Sequence, residues 1–263
     1  MTEKVVINDF QYAIRTRRAW WFTATSRTKA RFARTILGSF WLGLSNLLTI
    51  AALGVVYGTV FSVPNFKEYF IYLGIGLVIW NSISFSIISS PQLFTHNAIN
   101  IKNLNIRPIF YTLEEWAFQL QSFFQSFILV LIILSFLSPN ILINSFTTAL
   151  FPLLNLLLFL YWLPLIICLI GAWFTDFIQL VPIVLQILFL VSPILYQKEN
   201  LGDLQWITEY NILYKILEPC REAIIFGTID YKLMIYLFIF NLIGIILSVY
   251  FLKRQERFLP FLT

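Results

Sequence analysis

The stretch from Arg31 to Phe61 constrains this chain more than any other. It follows a basic run, ARFAR over 30–34, passes Thr35, Leu37, Gly38 and Trp41, and continues as an unbroken apolar segment. A bilayer's hydrocarbon core, about 30 Å thick, needs about 20 helical residues to cross. An Arg or Lys at the middle of a span costs about 2.5–3.5 kcal/mol on insertion scales. The segment therefore predicts both a crossing and its direction, with the arginines in the cytoplasm and Phe61 emerging outside.

Five further runs are long and apolar enough to cross, giving spans at about 36–61, 69–90, 116–138, 145–173, 177–195 and 233–252. The fold class is an all-α polytopic membrane protein with six transmembrane helices. Composition agrees: 59% of the 263 residues are hydrophobic and 12% charged, against about 45–50% and about 25% in soluble domains. Pro152, Pro164 and Pro182 are tolerable inside spans where neighbouring helices re-satisfy the freed carbonyls. An even number of spans puts both termini on one side. Lys4, Arg15, Arg17, Arg18, Arg27, Lys29, Arg31 and Arg34 precede the first span, Lys102 and Arg107 follow the second, and Lys253, Arg254 and Arg257 follow the last. The opposite loops hold only Lys67, Lys198, Lys215, Arg221 and Lys232, most of them diluted by acids. The positive-inside rule places both termini in the cytoplasm. The same rule accounts for the pI of about 9.2 without nucleic acid. The first 30 residues are polar and basic, with no short apolar core of a cleavable signal.

Residues 8–30 are too charged to cross. At 100° per residue Phe10, Ile14, Trp21 and Ala24 share a face, so the segment reads as an N-terminal amphipathic helix in the lipid interface. Arg17 falls on that apolar face and must snorkel. A solvated basic arm is the alternative. Residues 91–115 form a cytoplasmic connection. Residues 196–232 form an outer one, whose aromatic and charged residues at helical spacing predict short outer-side helices between spans 5 and 6. Cys168 in a span and Cys220 in a polar loop, at opposite faces, read as unpaired thiols. His96 is the single histidine, which excludes a multi-His metal site within one chain.

Ion-coupled transport or intramembrane catalysis needs acids or histidines at depth, and the predicted spans hold almost none. Asp176 lies between spans 4 and 5, and Glu114 and Glu115 just before span 3. The G-x-x-x-x-G-K-[ST] phosphate loop is absent, so energy must come from a partner. The spans do carry uncharged polarity in stripes: Ser39, Gly43, Asn46 and Tyr57 in span 1, Gln179 and Gln186 in span 5, and Ser122 above Ser126 and Gln121 above Gln125 in span 3. Such stripes suit inter-helix hydrogen bonds or a path for a neutral, hydroxyl-rich solute. Gly54 and Gly58 form G-x-x-x-G, a close-packing face or ordinary glycine tolerance.

Taken in order, several motifs resemble the membrane subunits of type-2 ABC exporters for cell-surface polysaccharides. They are Arg31-Phe32-x-Arg34-Thr35-x-Leu37-Gly38-x-x-Trp41, Tyr57-Gly58, Tyr72-Leu73-x-x-Gly76-x-x-x-Trp80, and His96-Asn97-Ala98 with Ile101-Lys102. The series continues with Asp176-x-x-Gln179, Ser192-Pro193-x-x-Tyr196 and Asn211-x-x-Tyr214-x-x-x-Glu218-x-x-Arg221. The resemblance covers roughly residues 9–255 and is strongest to the lipopolysaccharide O-antigen export branch. Thr175, Ser39, Ile212 and Ala223 depart from residues common in that family.

The resemblance implies a permease homodimer in the bacterial inner membrane, served by two copies of a separate ABC ATPase subunit that carries the ATP and Mg. This chain itself would hold no cofactor and catalyse nothing. Lipid-linked polysaccharide would pass to the outer face along a path lined by spans 1 and 5 of both protomers, through Ser39, Trp41, Asn46, Tyr57, Gln179 and Gln186. Arg31, Arg34, His96, Lys102 and Asp176 would meet the headgroup or the ATPase. Tyr196, Asn211, Tyr214, Glu218 and Arg221 would form an outer gate. The implied organisation is a cytoplasmic amphipathic segment at 1–35, the transmembrane domain at 36–255 and a cytoplasmic tail at 256–263. Rival readings are the same architecture carrying teichoic acid, capsule or a lipophilic drug, an ion-coupled transporter, or a structural membrane subunit.

Overall fold

The computed structural model describes the backbone of residues 2–60, 63–104 and 106–262, and side chains over the same ranges from Asp9 onward. Phe61, the predicted outer end of the first span, lies outside the described residues, as do Met1 and Thr263 and the side chain of Lys4. The described residues form helices joined by short connections, with no strand among them. The long ones are α1 (Thr2–Arg15), α2 (Arg17–Arg31), α3 (Phe40–Val60), α4 (Phe66–Ser89), α5 (Pro108–Leu137), α6 (Leu150–Trp173), α7 (Phe177–Val191), α8 (Ile212–Phe226) and α9 (Tyr231–Gln255).

Their boundaries follow local chemistry. Asn65 caps α4 by accepting from the Glu68 amide, and Asp230 caps α9 by accepting from the amides of Lys232 and Leu233. Pro108 opens α5 at a position where its missing N–H costs nothing. Asn211 caps α8, and Gly227, at φ 69°, ends it in the left-handed conformation that glycine adopts without strain.

Among the described residues, five helices are long and apolar enough to cross a membrane: α3, α4 with its continuation to His96, α5, α6 and α9. The fifth predicted span, 177–195, is helical only over the 15 residues of α7, because Ser192-Pro193 turns the chain out of the helix. That length gives about 22 Å at 1.5 Å per residue. The predicted span 145–173 is likewise interrupted near Thr147, so Asn140–Phe146 is a separate short helix. Helix α5 starts eight residues before the predicted 116, which puts Glu114 and Glu115 inside it.

The N-terminal segment is two helices rather than one. Thr16 leaves the helical path at φ −93°, ψ 9°, and its hydroxyl donates to the Tyr12 carbonyl. A single projection therefore fails: Phe10, Ile14, Trp21 and Arg17 are exposed, whereas Ala24 is fully buried against Ala117 and Phe118 of α5. Cys220 is buried within α8 rather than in a polar loop, and both it and Cys168 are free thiols.

Helix α4 is the axis of the molecule, buried against α3, α5, α6 and α8. Gly54 and Gly58 of α3 face it closely; a Cβ on either would come within 2.8 Å of Phe70 or 2.7 Å of Phe66. The tightest pair is α6 with α9. There Gly244 lies against the Trp162 ring, the indole N–H donates to Asn241 Oδ1 at 2.9 Å, and the Asn241 amide reaches Asn155 Oδ1 at 3.1 Å. In lipid, where apolar contact alone does not drive helices together, small residues and such polar pairs hold them.

Candidate functional site

Three polar regions stand out against this apolar frame. The first is a cavity of about 350 Å³ between α3, α4 and α5, with Arg31 of α2 at its edge. Asn46 sits about nine ångströms along α3 from its start, at 1.5 Å per residue. Its amide donates to Ser126 Oγ, and its carbonyl accepts from Asn81 at 2.7 Å. Ser122 and Ser84 also line this cavity, and neither hydroxyl has a hydrogen-bond partner among the described residues. The Arg31 guanidinium lies 5.3 Å from the Phe85 ring and 6.0 Å from that of Phe118.

The second region is the connection between α7 and α9. Arg221 is 3% exposed, too buried for a cation without compensation. It donates to the Pro193 carbonyl at 2.8 Å and to Tyr214 Oη at 3.3 Å, and its charge lies 3.8 Å over the Tyr72 ring. Tyr214 in turn donates to Glu218 at 2.5 Å. Tyr72 and Tyr69 of α4 donate to the Pro193, Tyr196 and Leu195 carbonyls, and Asn211 donates to Ser192 Oγ at 2.7 Å. Burial pushes the Tyr214 hydroxyl well above the ordinary tyrosine range, against the lowering effect of Arg221. Burial also raises the Glu222 carboxyl, with Glu218 adding to the effect and Arg221 opposing it.

The third region is where α1, α2, the start of α5 and the end of α9 meet. Glu115, buried in α5, pairs with Arg27 of α2 at 2.5 Å and accepts from Ser89 and Gln119. Glu115, Arg27 and Ser89, together with Gln92, His96 and Glu114, border a cleft of about 390 Å³. Asp9 of α1 pairs with Arg107 at 2.7 Å and Lys253 at 3.6 Å, tying the N-terminal helix to the foot of α5 and the end of α9.

The predicted residues distribute unevenly over these regions. Tyr196, Asn211, Tyr214, Glu218 and Arg221 do converge, together with Tyr72. Asn46 faces inward to α4 and α5, while Ser39 lies in the turn before α3, Trp41 is exposed and Tyr57 is half-buried farther along α3. Gln179 and Gln186 are exposed on α7, which packs on α4 and α6, whereas α3 packs on α4 and α5. Arg34, Lys102 and Asp176 are exposed in or beside the connections between long helices, and only His96 of that set borders the cleft. Sequence reasoning missed Asn81, Arg27 and Glu115 as partners across helices. A polar residue inside an apolar run was the available signal for Asn81. Among the described residues no group of three or more His, Cys, Asp or Glu side chains is placed to hold a metal ion.

A bundle of long apolar helices with polar groups in its interior is the form of a multi-pass membrane transport subunit. The family model for the ABC-2 type transporter matches residues 23–226, and the chain belongs to that family. It is also 25% identical over 241 residues to the O-antigen export system permease protein RfbA of Klebsiella pneumoniae, an alignment that covers 88% of this chain and 89% of that protein. Family membership makes this a multi-pass transporter subunit and implies pairing with an ABC ATPase.

Proposed function

We propose that this chain is the membrane half of an ATP-driven exporter that moves lipid-linked O-antigen, or a related surface glycan, across the bacterial cytoplasmic membrane. The similarity to an O-antigen export permease along nearly the whole of both chains carries this reading. The uncharged polarity of the helices supports it, because a neutral glycan needs hydroxyl-matching groups rather than titrating ones.

In this reading two copies of the chain pair with two ATPase subunits, both termini are cytoplasmic, and α7 is a sixth, short crossing. Residues 1–35 and 256–263 form the cytoplasmic ends of a transmembrane domain at 36–255, with α1 and α2 at the lipid surface. Ser39, Trp41, Tyr57, Gln179 and Gln186, exposed or half-buried on the single protomer, border the path between two protomers. His96, Lys102 and Asp176 face the ATPases, and Arg31 and Arg34 attract the anionic head of the lipid carrier. ATP-driven closure of the partner pair pushes on the cytoplasmic ends, and the cluster around Arg221 holds the outer gate. Vesicles holding the chain and its ATPase should move a lipid-linked glycan only while ATP is hydrolysed. Movement that persists with a hydrolysis-dead ATPase would overturn the proposal.

A further inference from the structure

We infer that the cavity between α3, α4 and α5 is a binding site, inside each protomer, for the phosphate-bearing, hydroxylated head of an amphiphile from the cytoplasmic leaflet. The site is built rather than incidental. About 350 Å³ of space opens among apolar helices, several times the share of liquid volume that one water occupies. Ser122 is 8% exposed, lines the space and makes no hydrogen bond among the described residues. A buried hydroxyl left unpaired costs about 1–3 kcal/mol, which a ligand hydroxyl would recover. Ser84 is a second such group on the facing helix.

The site combines three chemical parts. Arg31 stands at the edge, half supported by the Phe85 and Phe118 rings, and no carboxylate pairs with it among the described residues. A cation held over aromatic faces without a protein anion is free to take a phosphate bidentately. The Asn46–Asn81–Ser126 ladder presents neutral polar groups that suit hydroxyls and exclude a second charge. Phe85, Ile88 and Leu42 give the walls apolar surface for the first carbons of a chain. Asn46 therefore serves the interior of one protomer rather than a path between two.

A lipid-linked glycan at its reducing end and a resident phospholipid with a hydroxylated head share this chemistry. The inference rests on the export reading only for the choice between them. The test uses the full chain in phosphatidylcholine vesicles, without ATPase, containing either a diazirine-bearing polyprenyl-diphospho-hexosamine or a diazirine-bearing phosphatidylglycerol. Labelled peptides are then read by mass spectrometry. Label is expected on residues 81–88 and 119–126, with Arg31→Gln lowering it roughly tenfold, as loss of a charge-assisted contact does. Ser122→Leu should fill the space and abolish label. Ser45→Trp, at an exposed position on the cavity's rim, should block entry even if Ser122→Leu fails to fold. Label from the glycan carrier alone assigns the site to cargo loading, and label from both lipids assigns it to a resident lipid; either supports the site. No label at these peptides, or label unchanged in folded Ser45→Trp, overturns it. Because no transport is measured, failure here leaves the export reading standing, and failed export leaves this result standing.

Discussion

The cavity beside Asn46 and the cluster around Arg221 are both polar islands among apolar helices, and they are finished in opposite ways. Around Arg221 the hydroxyls and amides are paired: Tyr72 donates to two carbonyls, one of which also accepts from Arg221, and Asn211 accepts from the first turn of α8 and donates to Ser192. Beside Asn46 the ladder is satisfied, but Ser122 and Ser84 are not, and space is left next to them. A closed network specifies one geometry, whereas an open one with room invites a ligand. Polarity alone therefore does not mark a binding site in such a bundle; unspent hydrogen-bonding capacity beside a void does.

The contrast can be broken most strongly at Arg221. Arg221→Met should destabilise the chain by about 3 kcal/mol, since it removes a buried charged donor from the Pro193 carbonyl and the Tyr214 hydroxyl and takes the cation off the Tyr72 ring. Loss of folded protein on heating in detergent, followed by size-exclusion chromatography, checks this. Tyr72→Phe removes a single hydroxyl from the same network and should cost about 1–1.5 kcal/mol by the same measurement. Ser122→Ala, at a buried residue, should leave stability unchanged or raise it by about 1 kcal/mol, because it breaks no hydrogen bond and removes an unpaired hydroxyl. If Ser122→Ala proves as costly as Tyr72→Phe, the two regions are built alike.

The smallest expected effect is with pH. Glu222 has a carboxyl raised above its ordinary value of 4.5 in the folded chain. The folded state then holds that proton more tightly than the unfolded one, so its contribution is fully present below 4.5 and is lost as pH rises through the raised value. The unfolding temperature of Glu222→Gln should fall less over that range than that of the unaltered chain.

The crossings were legible because lipid demands long apolar helices, and five of them lie where the hydropathy runs do. What was not legible depended on contacts distant in sequence. Helix α5 carries Glu115 within it, paired with Arg27 of α2, a contact no local pattern announces. Residues 8–30 could not be projected as one helix because Thr16 bends the chain through a bond to Tyr12. The shortness of α7 could be read in Ser192-Pro193, since a residue before proline avoids the helical region. The stripes of Asn46 and Ser126 were visible as polarity, but their mutual contact required α3 to lie against α5.

The central claim is that this chain carries a lipid-linked glycan outward with force supplied by a partner. Deleting it and following the lipid-linked glycan by protease-free fractionation of the two membrane faces tests that claim most directly. The account predicts that the glycan collects on the cytoplasmic face and returns to the outer face when the chain is restored together with an active ATPase. Glycan that reaches the surface at an undiminished rate without the chain would contradict it.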